Sequence, residues 1–387
     1  MGNTVISDPI RYIGVDDKTI DLFESQYVVP NGVSYNSYVI MDEKIAVMDT
    51  VDARKTEEWL ANLEQELAGR KPDYLVISHL EPDHSGSIGA FAAKYPQAVL
   101  VGSAKAITML PQFFEGGFAC EQLSVKEGDT LSLGSHTLQF FMAPMVHWPE
   151  VMVEYEQTEQ VLFSADAFGK FGALDTDEDW ACEARRYYFN IVGKFSPQAA
   201  MLLKKAAGLT ISTICPLHGP VLKENLSYYI GKYEVWSSYE PEDEGIVIAY
   251  ASIHGNTAKA ARKLADILQE KGAPKVSVFD LARDDMAEAL EDAFRYGKLV
   301  LACATYEGGL FPCMDDFLRH LQSKNYQKRT VALMENGSWA PMANKKMQAI
   351  LETMKDITIC EHKVTLQSAL KSSDTEQLEA LAQELLG

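Results

Sequence analysis

The most informative part of the sequence reads Tyr74-Leu75-Val76-Ile77-Ser78-His79-Leu80-Glu81-Pro82-Asp83-His84. Its first half is an apolar run of the length of a buried strand. Residues two apart on an extended chain point the same way, so His79, Glu81 and Asp83 are expected to converge on one spot. A helix is expected to begin near Ser85, after Pro82, which cannot continue a ladder. Imidazole and carboxylate groups crowded at a strand end are typical of a metal site, with a solvated polar loop as the alternative.

Further candidate ligands follow apolar stretches downstream: His147 after residues 140–144, Asp166 after 161–165, and His218 after 214–217. Alone, His147 or His218 is more often a histidine packed in the core than a ligand. Together, four strand ends deliver seven candidates and favour a metal site. These are His79, Glu81, Asp83, His84, His147, Asp166 and His218. His136 lies in a turn and is interpreted as structural.

The order His-x-Glu-x-Asp-His, then His, Asp and His, resembles the metallo-β-lactamase fold in its diiron form. Hydrolases of that fold typically carry a second histidine where this chain has Glu81. Four imidazoles and three carboxylates make a harder, more anionic site than an imidazole-dominated zinc site. Such a site suits two iron ions that cycle between ferrous and ferric states.

The resemblance also implies how the ligands divide. One iron is assigned His79, Glu81 and His147. The other is assigned Asp83, His84 and His218, and Asp166 bridges the pair. Members of the family differ in whether the residue at the position of His84 reaches the metal.

Composition excludes several classes of protein. The 387 residues suffice for two domains, and 47% hydrophobic with 23% charged residues is the balance of a soluble globular protein. The net charge of −20, from 55 acidic and 35 basic residues, argues against nucleic acid and anionic membranes as partners. No apolar stretch approaches the roughly 20 residues of a membrane span. Met1–Thr4 shows no secretory pattern, so a cytoplasmic location is expected.

The chain is predicted to have two domains, 1–240 and 245–387, separated by an acidic, proline-containing stretch at 238–244. The first mixes strands and helices, and its resemblance implies an αββα sandwich. The second alternates regularly between strand and helix, which predicts a doubly wound parallel sheet. Its five predicted strands are Ile246–Tyr250, Lys275–Phe279, Leu299–Cys303, Thr330–Met334 and Ile357–Cys360.

Ligands of such sheets bind at the carboxyl ends of the strands. The loop after the first strand carries Ser252, His254, Gly255, Asn256 and Thr257. Its hydroxyls, its backbone N–H groups and the following helix N-terminus can surround a phosphate. The loop has no Gly-Lys-Ser/Thr and no G-x-G-x-x-G pattern, so a monophosphate that is bound but never transferred fits best.

Two further loops each offer glycine backbone and an aromatic ring, which a flat isoalloxazine needs at its edge and face. Their candidate residues are Thr305, Tyr306, Glu307, Gly308 and Gly309 on one, and Asn336, Gly337 and Trp339 on the other. Each loop alone is an ordinary glycine-rich turn. The three together resemble flavodoxin, which implies FMN, although flavodoxins usually have a small hydroxyl residue where this chain has His254.

A diiron β-lactamase-like domain followed by a flavodoxin-like domain resembles the flavodiiron proteins (A-type flavoproteins). The resemblance covers essentially the whole chain, including residues 30–38. It implies reduction of dioxygen to water, of nitric oxide to nitrous oxide, or of both, with electrons passing from FMN to the diiron pair. It also implies a head-to-tail homodimer or a dimer of dimers, in which Trp339 lies at the junction or, alternatively, packs in the core. Tyr187, Tyr188 and solvent are candidate proton donors.

The six cysteines form no C-x-x-C pair, so electrons must come from an external donor. A separate rubredoxin is the expected donor, with a reduced deazaflavin or an NADH-linked reductase as alternatives. Two other functions stay open. One is a dizinc hydrolase of the metallo-β-lactamase fold with a fused flavodoxin domain, which Glu81 and the flavin loops disfavour. The other is a flavin electron carrier with a vestigial first domain, which the complete ligand set disfavours.

Overall fold

The computed structural model describes residues 5–387. Met1–Thr4, where the sequence analysis found no secretory pattern, lie outside the described residues. The chain divides into two compact units. The first runs to Tyr187 and includes Pro197–Glu234, and the second consists of Tyr188–Ser196 and Val235–Gly387. The division thus follows Glu234, and a short internal segment belongs to the second unit. Over the described residues, every helix is too short or too polar to cross a bilayer.

Strands β1 to β15 form the sheets of the first unit. They are β1 Ile10–Tyr12, β2 Val15–Asp17, β3 Leu22–Phe23, β4 Tyr27–Val28, β5 Val33–Tyr35, β6 Tyr38–Ile40, β7 Ala46–Met48, β8 Tyr74–Ile77, β9 Val99–Ser103, β10 Gln122–Val125, β11 Thr130–Ser132, β12 Thr137–Met142, β13 Met152–Glu156, β14 Val161–Phe163 and β15 Thr213–Cys215.

Seven α-helices accompany these strands. They are α1 Thr56–Leu67, α2 Pro82–Ser85, α3 Ile88–Lys94, α4 Ala104–Phe113, α5 Trp180–Tyr187, α6 Ser196–Ala206 and α7 Leu226–Ser238. Single turns of other helix types lie at Ala53–Lys55, Tyr188–Val192 and Gly193–Phe195.

Two main sheets pack face to face in the first unit. One has the order β1-β6-β7-β8-β9-β10 and the other β11-β12-β13-β14-β15. Alternate residues of both sheets, such as Val76 and Val101 from one and Phe140 and Phe163 from the other, are fully buried in a shared core. Helices flank the sheets, and this arrangement confirms the predicted αββα sandwich.

The helix after β8 begins earlier than the sequence predicted. Helix α2 starts at Pro82 and not near Ser85, because proline is well suited to the first helical position, where its missing N–H group has no partner to lose. Asp83 and His84 therefore lie on a helical turn, and the extended alternation of side chains ends at Glu81.

The second unit contains a parallel sheet of order β17-β16-β18-β20-β21. Its strands are β16 Asp243–Ala251, β17 Val276–Asp280, β18 Tyr296–Tyr306, the short β19 Gly309–Leu310 paired with β18, β20 Arg329–Asn336 and β21 Ile357–Leu366. Its helices are α8 Asn256–Glu270, α9 Met286–Arg295, α10 Pro312–Ser323, α11 Ala343–Leu351 and α12 Thr375–Leu386, with a 3-10 turn at Ser372–Asp374.

This order confirms the predicted doubly wound sheet. The last strand is longer than the sequence predicted, because β21 continues past Cys360 to Leu366. Its added residues include exposed Glu361 and His362, and polar residues of this kind are common on edge strands, where they discourage pairing with another chain. The extension carries the chain to the carboxyl edge of the sheet.

Candidate metal centre and candidate flavin pocket

The seven predicted ligands lie together at one end of the sandwich of the first unit. Their donor atoms form two groups, each with all donor atoms within 4.8 Å of one another. One group contains His79, Glu81, His147 and Asp166, and the other contains Asp83, His84 and His218. Metal ligation itself stays a prediction.

Asp166 lies between the two groups, and its two oxygens face different histidines. Oδ2 is 3.3 Å from Nε2 of His79 and 3.3 Å from Nε2 of His147. Oδ1 is 3.2 Å from Nε2 of His84 and 3.8 Å from Nε2 of His218. A carboxylate in this position can contribute one oxygen to each of two ions.

The donor atoms fit a cation better than they fit each other. Both oxygens of Asp83 and Asp166, both ring nitrogens of His84 and Nε2 of His218 are buried and lack a hydrogen-bond partner. Two donors each about 2.1 Å from a shared ion lie roughly 3.0 to 3.4 Å apart. Nε2 of His218 is 3.2 Å from Asp83 Oδ2, which matches that separation. Buried polar atoms without partners are costly, and bound cations would satisfy them.

Two of the histidines are oriented through their Nδ1 atoms. Nδ1 of His79 lies 2.7 Å from Oε1 of Glu150, which also accepts the Leu80 N–H at 2.9 Å. Nδ1 of His218 lies 2.7 Å from the Ser34 carbonyl oxygen. An acceptor at Nδ1 holds a proton there and turns Nε2 toward the cluster, so Nε2 is the nitrogen that can bind a metal once it has lost its own proton.

The stretch 30–38, which the sequence analysis used only to support the resemblance, supports the loop that carries His218. The backbone N–H of Asn36 donates to the Leu217 carbonyl at 2.8 Å, and the Tyr38 hydroxyl donates to the Pro216 carbonyl at 2.6 Å. These contacts join residues about 180 positions apart and fix the backbone on both sides of Leu217.

The cluster shifts the titration of its own members. Burial lowers the pKa of His79, but the carboxylates of Asp166 and Glu150 raise it well above its usual range. Burial likewise opposes protonation of His147, yet Asp166 and Glu81 raise its pKa to about 9. Burial raises the pKa of Asp166, and the neighbouring histidines, His79 foremost, bring it well below the usual range. In the metal-free protein the anionic carboxylate of Asp166 therefore faces protonated imidazoles of His79 and His147.

Sequence reasoning missed Glu24 and Glu150. Glu24 lies in the turn between β3 and β4, with a positive φ of 49°, and burial followed by the adjacent carboxylate of Glu81 raises its pKa to about 7. Neither residue belongs to a spaced motif. The one signal for Glu150 is its place three residues after His147 and two residues before β13.

The two candidate tyrosines have different surroundings. Tyr187 is buried with its ring 5.4 Å from that of His218, and burial together with the cluster carboxylates, Asp166 foremost, raises the pKa of its hydroxyl well above the usual value. The hydroxyl of Tyr188 lies 2.9 Å from Oγ of Ser196, and burial raises its pKa. Both phenols stay protonated at neutral pH.

A pocket of about 660 Å³ opens at the carboxyl edge of the sheet in the second unit. The predicted flavin contacts that line it are Ser252, His254, Asn256, Thr257, Thr305, Tyr306, Glu307, Gly308, Asn336, Gly337 and Trp339. Gly255 and Gly309 do not line it. Residues that the sequence analysis did not name, including Met342 and Ser368, complete the wall.

The first loop is held by a hydrogen bond within itself, and the second and third loops are joined to each other. Oγ of Ser252 accepts the Gly255 N–H at 3.1 Å, and Gly255 begins helix α8 with a φ of +84°, which glycine adopts without strain. Oγ1 of Thr305 accepts the Met342 N–H at 3.0 Å, which joins the second loop to the third. The first turn of α8 thus borders a pocket of suitable size for a phosphate-bearing cofactor.

Trp339 is 91% exposed at the rim of this pocket. Core packing, one of the two readings given by the sequence, is therefore wrong for the described chain. The side chain of His254, in the loop after β16, is also exposed.

Comparison with known proteins matches both units. A family model described as ODP family beta lactamase matches residues 33–219, and one described as Flavodoxin matches residues 248–380.

The chain is similar along most of its length to proteins of known name. It is 30% identical to an anaerobic nitric oxide reductase flavorubredoxin of Vibrio vulnificus (strain YJ016), over 89% of this chain and 72% of that protein. It is 28% identical to a rubredoxin-oxygen oxidoreductase of Megalodesulfovibrio gigas, over 100% of this chain and 98% of that protein.

Solved structures of similar proteins share the fold of this chain over nearly its whole length. The rubredoxin oxygen:oxidoreductase of Desulfovibrio gigas superposes with a TM-score of 0.93 at 27% identity, covering 99% of this chain and 97% of that one. A flavodiiron protein from Giardia intestinalis shares the fold, with a TM-score of 0.93 at 23% identity over 100% and 97%.

The contact of Glu150 with His79 predicts a positioning role. Replacing Glu150 by glutamine removes the charge that holds the Nδ1 proton of His79, so metal affinity should fall about 10- to 100-fold. Competition with a chromophoric chelator measures this. Glu156→Gln is the matched control, because Glu156 is equally buried, is the last residue of β13, and accepts backbone N–H groups from Thr158 and Glu159. Equal affinities for Glu150→Gln and the wild type would contradict the role.

Metal uptake should release protons. His147, with its pKa raised to about 9, holds a proton at neutral pH that an incoming ion must displace. A raised pKa means that this competition weakens as pH rises, so metal affinity should increase from pH 6.5 toward pH 8.5. Calorimetric titration in buffers of different ionisation enthalpy measures the number of protons released. Uptake with no net release, and with affinity independent of pH, would show that the histidines are already neutral.

Proposed function

The chain belongs to the flavodiiron proteins, and on that premise we propose that it is an oxidoreductase that reduces dioxygen to water, nitric oxide to nitrous oxide, or both. The observation that carries the proposal is the position of Asp166, whose two oxygens face two separate groups of buried donors. A single ion in one group would leave the donors of the other group without a partner. A pair of ions would occupy both groups, with one oxygen of Asp166 for each ion.

We assign the donors as their grouping suggests, with two iron ions as the metals. His79, Glu81 and His147 would hold one ion, Asp83, His84 and His218 the other, and Asp166 would contact both. Two irons and FMN, when bound, supply the four electrons that reduction of dioxygen to water requires. Three carboxylates among seven donors favour iron over zinc, because hard anionic oxygens stabilise the ferric charge.

The protein's own residues orient the donors and keep the site protected. Glu150 and the Ser34 carbonyl hold two imidazoles with Nε2 facing the cluster. Tyr187, whose ring lies 5.4 Å from that of His218, keeps its hydroxyl proton, so the phenol is available as a neutral hydrogen-bond donor. Burial of all these groups limits the water that reaches the site.

FMN is the proposed flavin. The pocket in the second unit has hydroxyls at Ser252 and Thr257, next to the N-terminus of α8, and lacks the lysine of a nucleotide-hydrolysing loop. Glycine backbone and the rings of Tyr306 and Trp339 line the same pocket, and an isoalloxazine needs such groups at its edge and face.

Two rival functions make different predictions about the metal and flavin content of the purified protein. A dizinc hydrolase would hold zinc when purified from iron-rich medium, and a flavin carrier would bind FMN but no metal. Glu81, whose Oε2 lies 2.9 Å from Nε2 of His147, adds a carboxylate that favours iron. The intact set of seven donors speaks against a vestigial domain.

Removing one donor from either group should abolish the reductase. Asp83→Asn and His147→Asn should lose iron and lower gas reduction by roughly two orders of magnitude or more, with FMN still bound. Metal analysis, the visible flavin spectrum and anaerobic titration of the reduced enzyme with each gas measure these properties. His136→Asn is the matched control, because His136 pairs with Asp42 outside the cluster. Full activity in an iron-depleted variant would refute the assignment.

We further propose an external electron donor, with rubredoxin first, and a head-to-tail homodimer or dimer of dimers. The absence of a C-x-x-C pair and the exposure of Trp339 at the flavin rim support these proposals. Sedimentation equilibrium of the holoenzyme should give two or four chains per particle. A monomer with undiminished turnover would rule out a required dimer.

A further inference from the structure

A mostly apolar cavity of about 250 Å³ lies in the first unit. It is bounded by the outer face of the second sheet, through Phe141, Val153 and Leu162, and by helices α6 and α7, through Leu203 and Ile230. These strand residues alternate with those of the buried core, so the cavity lies on the opposite side of the sheet from that core.

The polar groups of its wall are already satisfied or face solvent. Oγ of Ser164 donates to the Ala167 carbonyl at 2.7 Å, and the Tyr233 hydroxyl accepts the Phe168 N–H at 2.6 Å. Lys205 Nζ donates to the Met142 carbonyl at 2.7 Å, and Glu234 is exposed. Apolar cavities take small apolar guests such as xenon.

The cavity shares its wall with the candidate metal centre. Val146, which lines it, directly precedes His147, and Ala167 directly follows Asp166. Both wall residues are buried. One residue of chain therefore separates the apolar space from donors of the metal cluster at two independent points.

We propose that this cavity holds the apolar diatomic substrate beside the metal centre. The inference rests on the proposed function, since dioxygen and nitric oxide share the relevant chemistry: both are small, uncharged and poorly hydrated. Transfer of such a molecule from water into an apolar space is favourable, whereas water and ions gain nothing from this wall. The cavity would raise the local concentration of the gas without hydrogen bonds.

The first measurement is binding of xenon, which is independent of turnover. Crystals of the holoenzyme under xenon pressure should show the atom in the cavity. Ala199→Phe should remove it, because Ala199 is buried on α6 and lines the cavity. Ala200→Phe is the matched control on the same helix and should retain it, because Ala200 does not line the cavity. Ile230→Phe fills the cavity from α7 and is the second variant, to be used if Ala199→Phe does not fold. Thermal unfolding shows whether each variant is folded.

The second measurement is kcat/KM for each gas. In Ala199→Phe and Ile230→Phe it should fall on the order of threefold to tenfold, with kcat at saturating gas and iron and FMN content unchanged. A fall for one gas alone identifies that gas as the occupant. Two results would overturn the inference even if the wild type reduces gas: no xenon in the cavity of the wild type, or variants that exclude xenon but keep the wild-type kcat/KM. A loaded wild type that reduces neither gas overturns the proposed function and this inference together.

Discussion

The first unit is organised around buried ionisable groups, several of whose donor atoms have no hydrogen-bond partner. Carboxylates such as Asp83 and Asp166 and the ring nitrogens of His84 are removed from water with no hydrogen-bond partner. Burying an ion costs several kcal/mol even after the protein relaxes, so an empty cluster of this kind is unfavourable. The sandwich permits it because two sheets end at the same edge, so that each sheet contributes donors and neither could assemble the set alone.

The sequence predicted the donors because each follows an apolar strand, and such strands are visible as runs or alternation. It did not predict the groups that orient them. Glu150 acts on His79 across 71 positions and Ser34 on His218 across 184, so only the folded chain brings them together. The early start of α2 was missed because Pro82 was read as a turn residue, although proline equally favours the first position of a helix.

The candidate flavin pocket was located from one topological rule, that ligands meet the carboxyl ends of parallel strands. The rule located three loops but not Ser368, because β21 extends six residues beyond its apolar part and ends at the same edge. Backbone geometry was also hidden in the sequence. Gly255 adopts a left-handed conformation that turns the chain into α8, yet its own atoms do not line the pocket.

The shared position of Asp166 has a consequence for how the apoprotein fills. An ion seated on one side fixes the rotation of this carboxylate, and its second oxygen is then already aimed at the vacant side. The next ion meets an oriented donor, so occupancy should rise in a cooperative, nearly all-or-none manner. A preparation assayed at one metal per chain would then be mainly a mixture of empty and fully occupied molecules, and its specific activity would scale with the doubly occupied fraction.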